Sequence, residues 1–273
     1  MTRMDDLVLA TPHENGVVEV ILNRPDKMNA LTVPLIESLV ATAERVGRER
    51  TTRAIVLRGA GRAFCAGIDV TRFAELESDS QGTPGRLTRR THGTSNLFQR
   101  AATVWADLPI PVIAAVHGVA FGGGLQIALG ADIRLVAPGT KLSVMEIKWG
   151  IVPDMGGMLS MRRLVRADTA RELALTGRIV EASESVALGL ATRLVDDPAA
   201  AAMTLASEIA GKNPNAIRAA KRLFELATHA DDAALLLAES LEQDKLIGSP
   251  AQLEAIAANL EKRAPVFADP EES

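Results

Sequence analysis

Residues 109–155 read PIPVIAAVHGVAFGGGLQIALGADIRLVAPGTKLSVMEIKWGIVPDM, and the rest of the chain is organised around them. The apolar run from Val112 to Val116 predicts a buried strand that leads into three consecutive glycines, Gly122, Gly123 and Gly124. The segment after them, 125–129, is too short and too uniformly apolar for a surface helix. A strand that turns through glycines into a helix presents free backbone N–H groups at the positive end of the helix dipole, where an anion or a developing oxyanion is stabilised. Glu146 follows among Val144, Met145 and Ile147, and Asp154 stands eight positions later in a Pro–Asp–Met–Gly–Gly turn. Carboxylates against apolar surroundings are candidates for a raised pKa and for proton transfer.

The whole chain sets limits on this reading. With 273 residues, 47% of them hydrophobic, it can bury one large core, with or without a small appendage. Thirty Lys and Arg balance 34 Asp and Glu, so no basic footprint for nucleic acid is present. Cys65 is the only cysteine, which excludes an intrachain disulfide and fits a reducing compartment. The first 16 residues carry acidic groups where a signal peptide needs its apolar core, and no apolar run is long enough to span a bilayer. A soluble, cytoplasmic protein is expected.

In chain order, Val17–Leu22 predicts a strand, and Thr32 predicts the N-cap of a helix through about Arg48 with Leu35, Ile36, Leu39, Val40, Ala43 and Val46 on one face. Residues 54–57 form the next strand, ending at Gly59–Ala60–Gly61, before the segment 62–69, RAFCAGID. Strand, helix, strand and glycine turn thus occur twice, which argues for a mostly parallel sheet with helices outside it. Residues 75–94 are polar and weakly periodic, and read either as a solvated loop or as a flap over an acyl-chain tunnel. Residues 97–108 predict a helix feeding the central strand. Helical patterns take over after Asp154, with Asp168 as an N-cap and a final amphipathic segment carrying Leu253, Ile256, Ala257 and Leu260. The division expected is an α/β core over 1–198 and a helical region over 199–273, whose apolar faces complete a subunit interface.

Several motifs occur together in a recognisable order: Asn23–Arg24–Pro25, Asn29–Ala30–Leu31, Ala63 to Asp69, His117–Gly118, the glycine triplet, Glu146, and Pro153 to Gly157. In this order the chain, over roughly residues 7–265, resembles the crotonase family, also called the enoyl-CoA hydratase/isomerase superfamily. The resemblance implies a crotonase-type spiral of ββα repeats with a C-terminal helical trimerisation region, assembled as a homotrimer or as a hexamer of two trimers. It implies an acyl-CoA substrate, a place in fatty-acid β-oxidation, and no cofactor beyond the coenzyme A that belongs to the substrate. The thioester carbonyl would be gripped by the backbone N–H groups of Ile68 and Gly123. The backbone of Ala63, Cys65 and Ala66 would hold the adenine. Arg24 and Lys27, with Arg62 and Arg72, are candidates for the phosphates, although exposed basic residues also serve simply as solvated surface.

Acid–base residues distinguish the reactions. Hydratases of the family carry two glutamates around the water, and the first of those positions here is Gln126, which can hydrogen-bond water or a carbonyl but cannot cycle a proton. Glu146 with Asp154 instead resembles the dienoyl-CoA isomerase branch, and a single glutamate serves in the 3,2-enoyl-CoA isomerase branch. Double-bond isomerisation is therefore the favoured activity, with Glu146 and Asp154 catalytic and Gln126 positioning the substrate. Alternatives are 2-enoyl-CoA hydration, a hydrolase or dehalogenase using Asp154, and a non-catalytic acyl-CoA-binding protein. Asp154 also reads as the N-cap of the following helix, and Trp149 as core or tunnel lining. Cys65 reads as a buried small thiol and His117 as a packed, backbone-bonded residue rather than a base. No zinc-ligand spacing or Walker pattern is present in the sequence.

Overall fold

The computed structural model describes residues 7–69 and 87–270. Strand β1 (Val8–Pro12) turns back antiparallel on β2 (Val17–Leu22). The expected cap then starts helix α1 (Val33–Arg48): the Thr32 side chain accepts from Leu35 N–H, and all six residues of the predicted face are buried. Strand β3 (Ala54–Gly59) runs two residues beyond its predicted end. Helix α2 (Leu97–Asp107) opens with a capping box between Asn96 and Gln99 and feeds β4 (Val112–Val116). After it come β5 (Val119–Phe121), α3 (Gly123–Leu129), β6 (Ile133–Val136) and β7 (Lys141–Ser143).

The second half contains α4 (Gly157–Leu164), α5 (Ala167–Thr176), β8 (Val180–Glu181), α6 (Ala182–Ala187), β9 (Arg193–Leu194), and helices α7 (Pro198–Ala210), α8 (Pro214–Leu226), α9 (Asp232–Leu246) and α10 (Pro250–Glu261). Two expectations are corrected here. The pattern after Asp154 is not purely helical, because β8 and β9 add two-residue strands. Asp168 is not a cap: α5 starts after Arg166, and the Asp168 carboxylate pairs with that arginine at 2.5 Å in the first turn.

Strand order in the main sheet is β1-β2-β3-β4-β6-β9, parallel throughout except for β1. A second sheet, β5-β7-β8, pairs β5 parallel to β7 and β7 antiparallel to β8. The chain visits the main sheet, crosses to the second and returns: β4 to β5, then β6 to β7. Two parallel bridges, Leu31 with Ile68 and Cys65 with Ala120, extend the second layer backwards. This stepping is the spiral.

Period-two alternation separates the faces of the main sheet. Ile55, Leu57, Val112, Ala114 and Val116 join the large core under α1 and α2, while Ala54, Val56, Ile113, Ala115 and Leu135 meet Ala202 and Ala206 of α7. Buried Lys221 stitches α8 to this core, donating to Trp105 O and Ile110 O at 2.8 Å and to Asp132 Oδ2 at 2.7 Å. Beyond it, α9 buries none of its residues. No helix among the described residues is long and apolar enough to cross a membrane. Most of the segment read as loop or flap, 75–86, lies outside the described residues.

Candidate active site

Two glycine-containing loops meet at one cavity. The first, 63–69, is pinned to β5 by Cys65 N–H to Val119 O at 3.1 Å and Phe121 N–H to Cys65 O at 3.0 Å. Leu31 then brackets Ile68, donating to Gly67 O at 2.7 Å and accepting from Asp69 N–H at 2.9 Å. Both neighbours of Ile68 are thereby spent, and among the described residues its own N–H takes no part in the backbone network. Gly67 has φ +88°, and a Cβ there would come within 2.7 Å of Phe121 O, so the loop demands glycine.

The second loop starts α3. Gly122 N–H is taken by Ser143 O at 2.9 Å, whereas Gly123, the first residue of the helix, has no intrahelical acceptor for its N–H. A Cβ at Gly124 would lie 2.5 Å from Cys65 O, so glycine lets the helix start settle onto the first loop. Gly123 is expected to be glycine to leave room for a thioester. A more immediate reason is intramolecular: a Cβ would meet Met155 Sδ at 2.6 Å and Leu31 Cδ1 at 2.8 Å.

Ala66, Gly67 and Ile68 from one loop and Gly122 and Gly123 from the other line a cavity of about 80 Å³ that opens to solvent. Phe121, Met145, Trp149, Ile151 and Met155 are its apolar walls, and Gln126, Glu146 and Asp154 are the polar side chains among its described lining. Glu146 opens a single 3₁₀ turn and is only 6% exposed. Its Oε1 accepts from Gln126 Nε2 at 2.6 Å, and its Oε2 is buried with no partner. Burial pushes its pKa up, opposed by hydrogen bonds from its own backbone and from Gln126, while neighbouring Asp154 adds to the rise. Asp154 stands at the rim with an exposed flank, and partial desolvation pushes its pKa up as well. It is not the helix cap: α4 starts after Gly156 with no side-chain cap bond.

Residues 12–270 match the family model described as "Enoyl-CoA hydratase/isomerase". The chain belongs to the enoyl-CoA hydratase/isomerase family. Human "Enoyl-CoA hydratase domain-containing protein 2, mitochondrial" is 33% identical over 266 residues, covering 95% of this chain and 87% of that protein. A crystal structure of enoyl-CoA hydratase from Bacillus anthracis superposes with a TM-score of 0.84 at 30% identity, covering 96% of this chain and 98% of the other. A Mycobacterium smegmatis enoyl-CoA hydratase structure gives 0.81 at 29% identity, covering 96% and 98%.

In this enoyl-CoA hydratase/isomerase family chain the loops are held by residues whose part the sequence did not reveal. Fully buried Asn29, at φ +55°, accepts from Arg24 N–H and donates through Nδ2 to Ala60 O at 2.9 Å, Ala63 O at 2.8 Å and Phe64 O at 3.1 Å. An asparagine in the left-handed region is the one signal that could have flagged it. Arg24, read as a candidate phosphate ligand, is turned inward: its guanidinium bonds Ala30 O and pairs with Asp69 at 3.2 Å, bracing the residue next to Ile68. Lys27 and Arg62 are exposed, and Arg72 lies outside the described residues.

Ala63 and Cys65 are buried, so only their backbone could meet a ligand. Burial pushes the Cys65 thiol up to about 12, and its Sγ donates to Asn29 O at 3.1 Å, which leaves it an inert packing group. Trp149 is 44% exposed and lines the cavity, so the core alternative is excluded; Lys148 Nζ sits 5.3 Å from its ring centroid. His117 is half-buried, with Nε2 2.9 Å from the backbone Gly61 O, the backbone-bonded position expected of it. Among the described residues no group of three or more His, Cys, Asp or Glu could hold a metal ion.

Proposed function

We propose that this enzyme moves a carbon–carbon double bond along an unsaturated acyl-CoA thioester, on a dienoyl-CoA or 3,2-enoyl-CoA substrate. The observation that carries the reading is the state of Gln126: both ends of its carboxamide are bonded within the protein, which leaves Glu146 and Asp154 as the cavity's proton carriers. A neutral amide cannot take the second glutamate's part in hydration. The Ile68 and Gly123 N–H groups, unused by the backbone around them, suit a thioester oxygen. As an allylic C–H bond breaks, its electron pair moves toward that oxygen, and two donors aimed at the growing charge lower the barrier. One carboxylate removes the proton and the other returns one at the far carbon. No water is consumed.

Three further readings accompany this one. The apolar faces of α9 and α10 support a homotrimer or a hexamer of two trimers. The lone buried thiol of Cys65 supports a reducing compartment such as the cytoplasm. The ligand is coenzyme A carried by the substrate, without a separate cofactor, nucleic acid or membrane partner.

Paired absorbance assays on one sample test the activity, following loss of 2-enoyl-CoA in water and conversion of 3,5-dienoyl-CoA to its 2,4-isomer. Isomerisation much faster than hydration is expected. Fast hydration would overturn the preference for isomerisation, and a covalent acyl-enzyme seen by mass spectrometry would move Asp154 to the role of nucleophile.

A further inference from the structure

Gln126 is 2% exposed and bonded at both ends. Its Nε2 donates to Glu146 Oε1 at 2.6 Å, and its Oε1 accepts from the backbone N–H groups of Met155 at 2.9 Å and Gly157 at 2.8 Å. The two N–H donors saturate the oxygen and fix which way the amide points, since the flipped form would set oxygen against carboxylate and NH₂ against two N–H groups. One side chain therefore ties Glu146 to the turn that carries Asp154.

We propose that Gln126 is a positioning residue that holds Glu146 as the ionised base, leaves Oε2 as its proton-accepting atom, and keeps Asp154 on the same frame as the returning acid. The proposal rests on the isomerase reading above. A donor on Oε1 favours the carboxylate, and unpartnered Oε2 is the oxygen left to receive a proton. The allylic C–H pair flows into a dienolate held by the Ile68 and Gly123 N–H groups, the proton passes to Glu146 Oε2, and protonated Asp154 gives its own to the far carbon. The cycle closes when Glu146 loses a proton and Asp154 gains one, and exposed Asp154 can exchange with water.

Around Glu146, α3 carries no titratable residue, α4 carries exposed Arg162 and Arg163, and α5 carries Asp168 (paired with Arg166), Arg171 and Glu172 (paired with Arg178). Lys148 on the same turn is placed over Trp149. Asp154, when ionised, is the charge that acts on Glu146; protonated as the returning acid, it leaves Glu146 without that opposing charge.

The test uses Gln126→Met, which keeps the size and removes both polar ends, and Gln126→Glu. Titration of the Glu146 carboxyl by carbon-13 NMR in ligand-free enzyme, assigned with Glu146→Gln, is read beside the pH profile of isomerisation. In Gln126→Met the Glu146 titration and the acidic limb of kcat/KM are expected to move together to higher pH, with kcat falling by about tenfold or more and KM little changed. Gln126→Glu should act as a partial rescue at acid pH, where residue 126 carries a proton and can still donate, and should lose activity as pH rises. An unshifted Glu146 titration in folded Gln126→Met, with only a lower melting temperature, would overturn the proposal and leave Gln126 a packing residue. If wild-type enzyme isomerises no enoyl or dienoyl thioester, the functional reading fails, and the NMR titration still decides the clamp.

Discussion

At the scale of single residues, Glu146 shows function set against stability. A carboxylate buried with one oxygen unpartnered is costly, and the fold retains it because a desolvated base is more basic. The sign of the pH dependence follows. Its folded pKa lies above that of the unfolded chain, so between the two values the native state binds more protons, and this contribution to stability falls as pH rises through that window. Glu146→Gln keeps an oxygen for the Gln126 N–H and removes the charge. That variant is expected to lose at least about a thousandfold in turnover, yet to melt higher than wild type at neutral pH, with the difference vanishing in acid. Thermal melts at pH 4 and pH 7.5 beside the absorbance assay check both halves; a variant that melts lower at both pH values would remove the argument that Glu146 is a strained site.

At the scale of elements, the site depends on how loops are tied to sheets and helices. Asn29 serves three carbonyls of the 60–64 segment. Asn29→Ala is expected to cost about 3 kcal/mol, from stranded buried acceptors and from an alanine at positive φ. Asn29→Gly loses the same hydrogen bonds without the backbone strain, so an activity loss shared by both variants, measured beside denaturant melts, assigns the effect to the lost hydrogen bonds. Lys221 does the same between α8 and the core, and Lys221→Met keeps the stem while removing three donated bonds. A loss of about 3 kcal/mol is expected, a fall in melting temperature of roughly 6–10 °C for a chain this size; a fall under about 2 °C would show that the pairing contributes little. Neither tie was legible in the sequence. The Thr32 cap and the α1 face were, because caps and 3.6-residue periods are local. The strands β8 and β9 were not, because two residues carry no period, and the partners of Gln126 stand 20 to 31 positions away, where spacing says nothing of contact.

At the scale of the whole molecule, the sequence carried the repeated strand, glycine turn and helix, and with it the parallel sheet and the two loops that meet at the cavity. The inward turn of Arg24 was hidden, since an arginine beside a proline turn reads as surface until its partner Asp69, 45 residues on, is brought to it. The C-terminal helices leave a larger question. Leu236, Leu237 and Leu241 on α9 and Leu253, Ile256 and Leu260 on α10 are all about half exposed or more, Leu260 reaching 79%. Scattered apolar residues on a surface are ordinary, but Leu253, Ile256 and Leu260 recur at helical spacing on one side of α10, and a stripe of that kind is covered in a stable assembly. Closed symmetric assembly of one chain covers it without leaving a free copy of the same patch. Wild-type protein is therefore expected to sediment as a trimer or a hexamer, and the double variant Leu253→Lys, Leu260→Lys to sediment as smaller species with its far-ultraviolet circular dichroism retained. Since the Lys221 tie joins α8 to the core, Lys221→Met should weaken assembly as well, through its effect on where the helices sit. A monomeric wild type at micromolar concentration would show that these helices do not serve self-association.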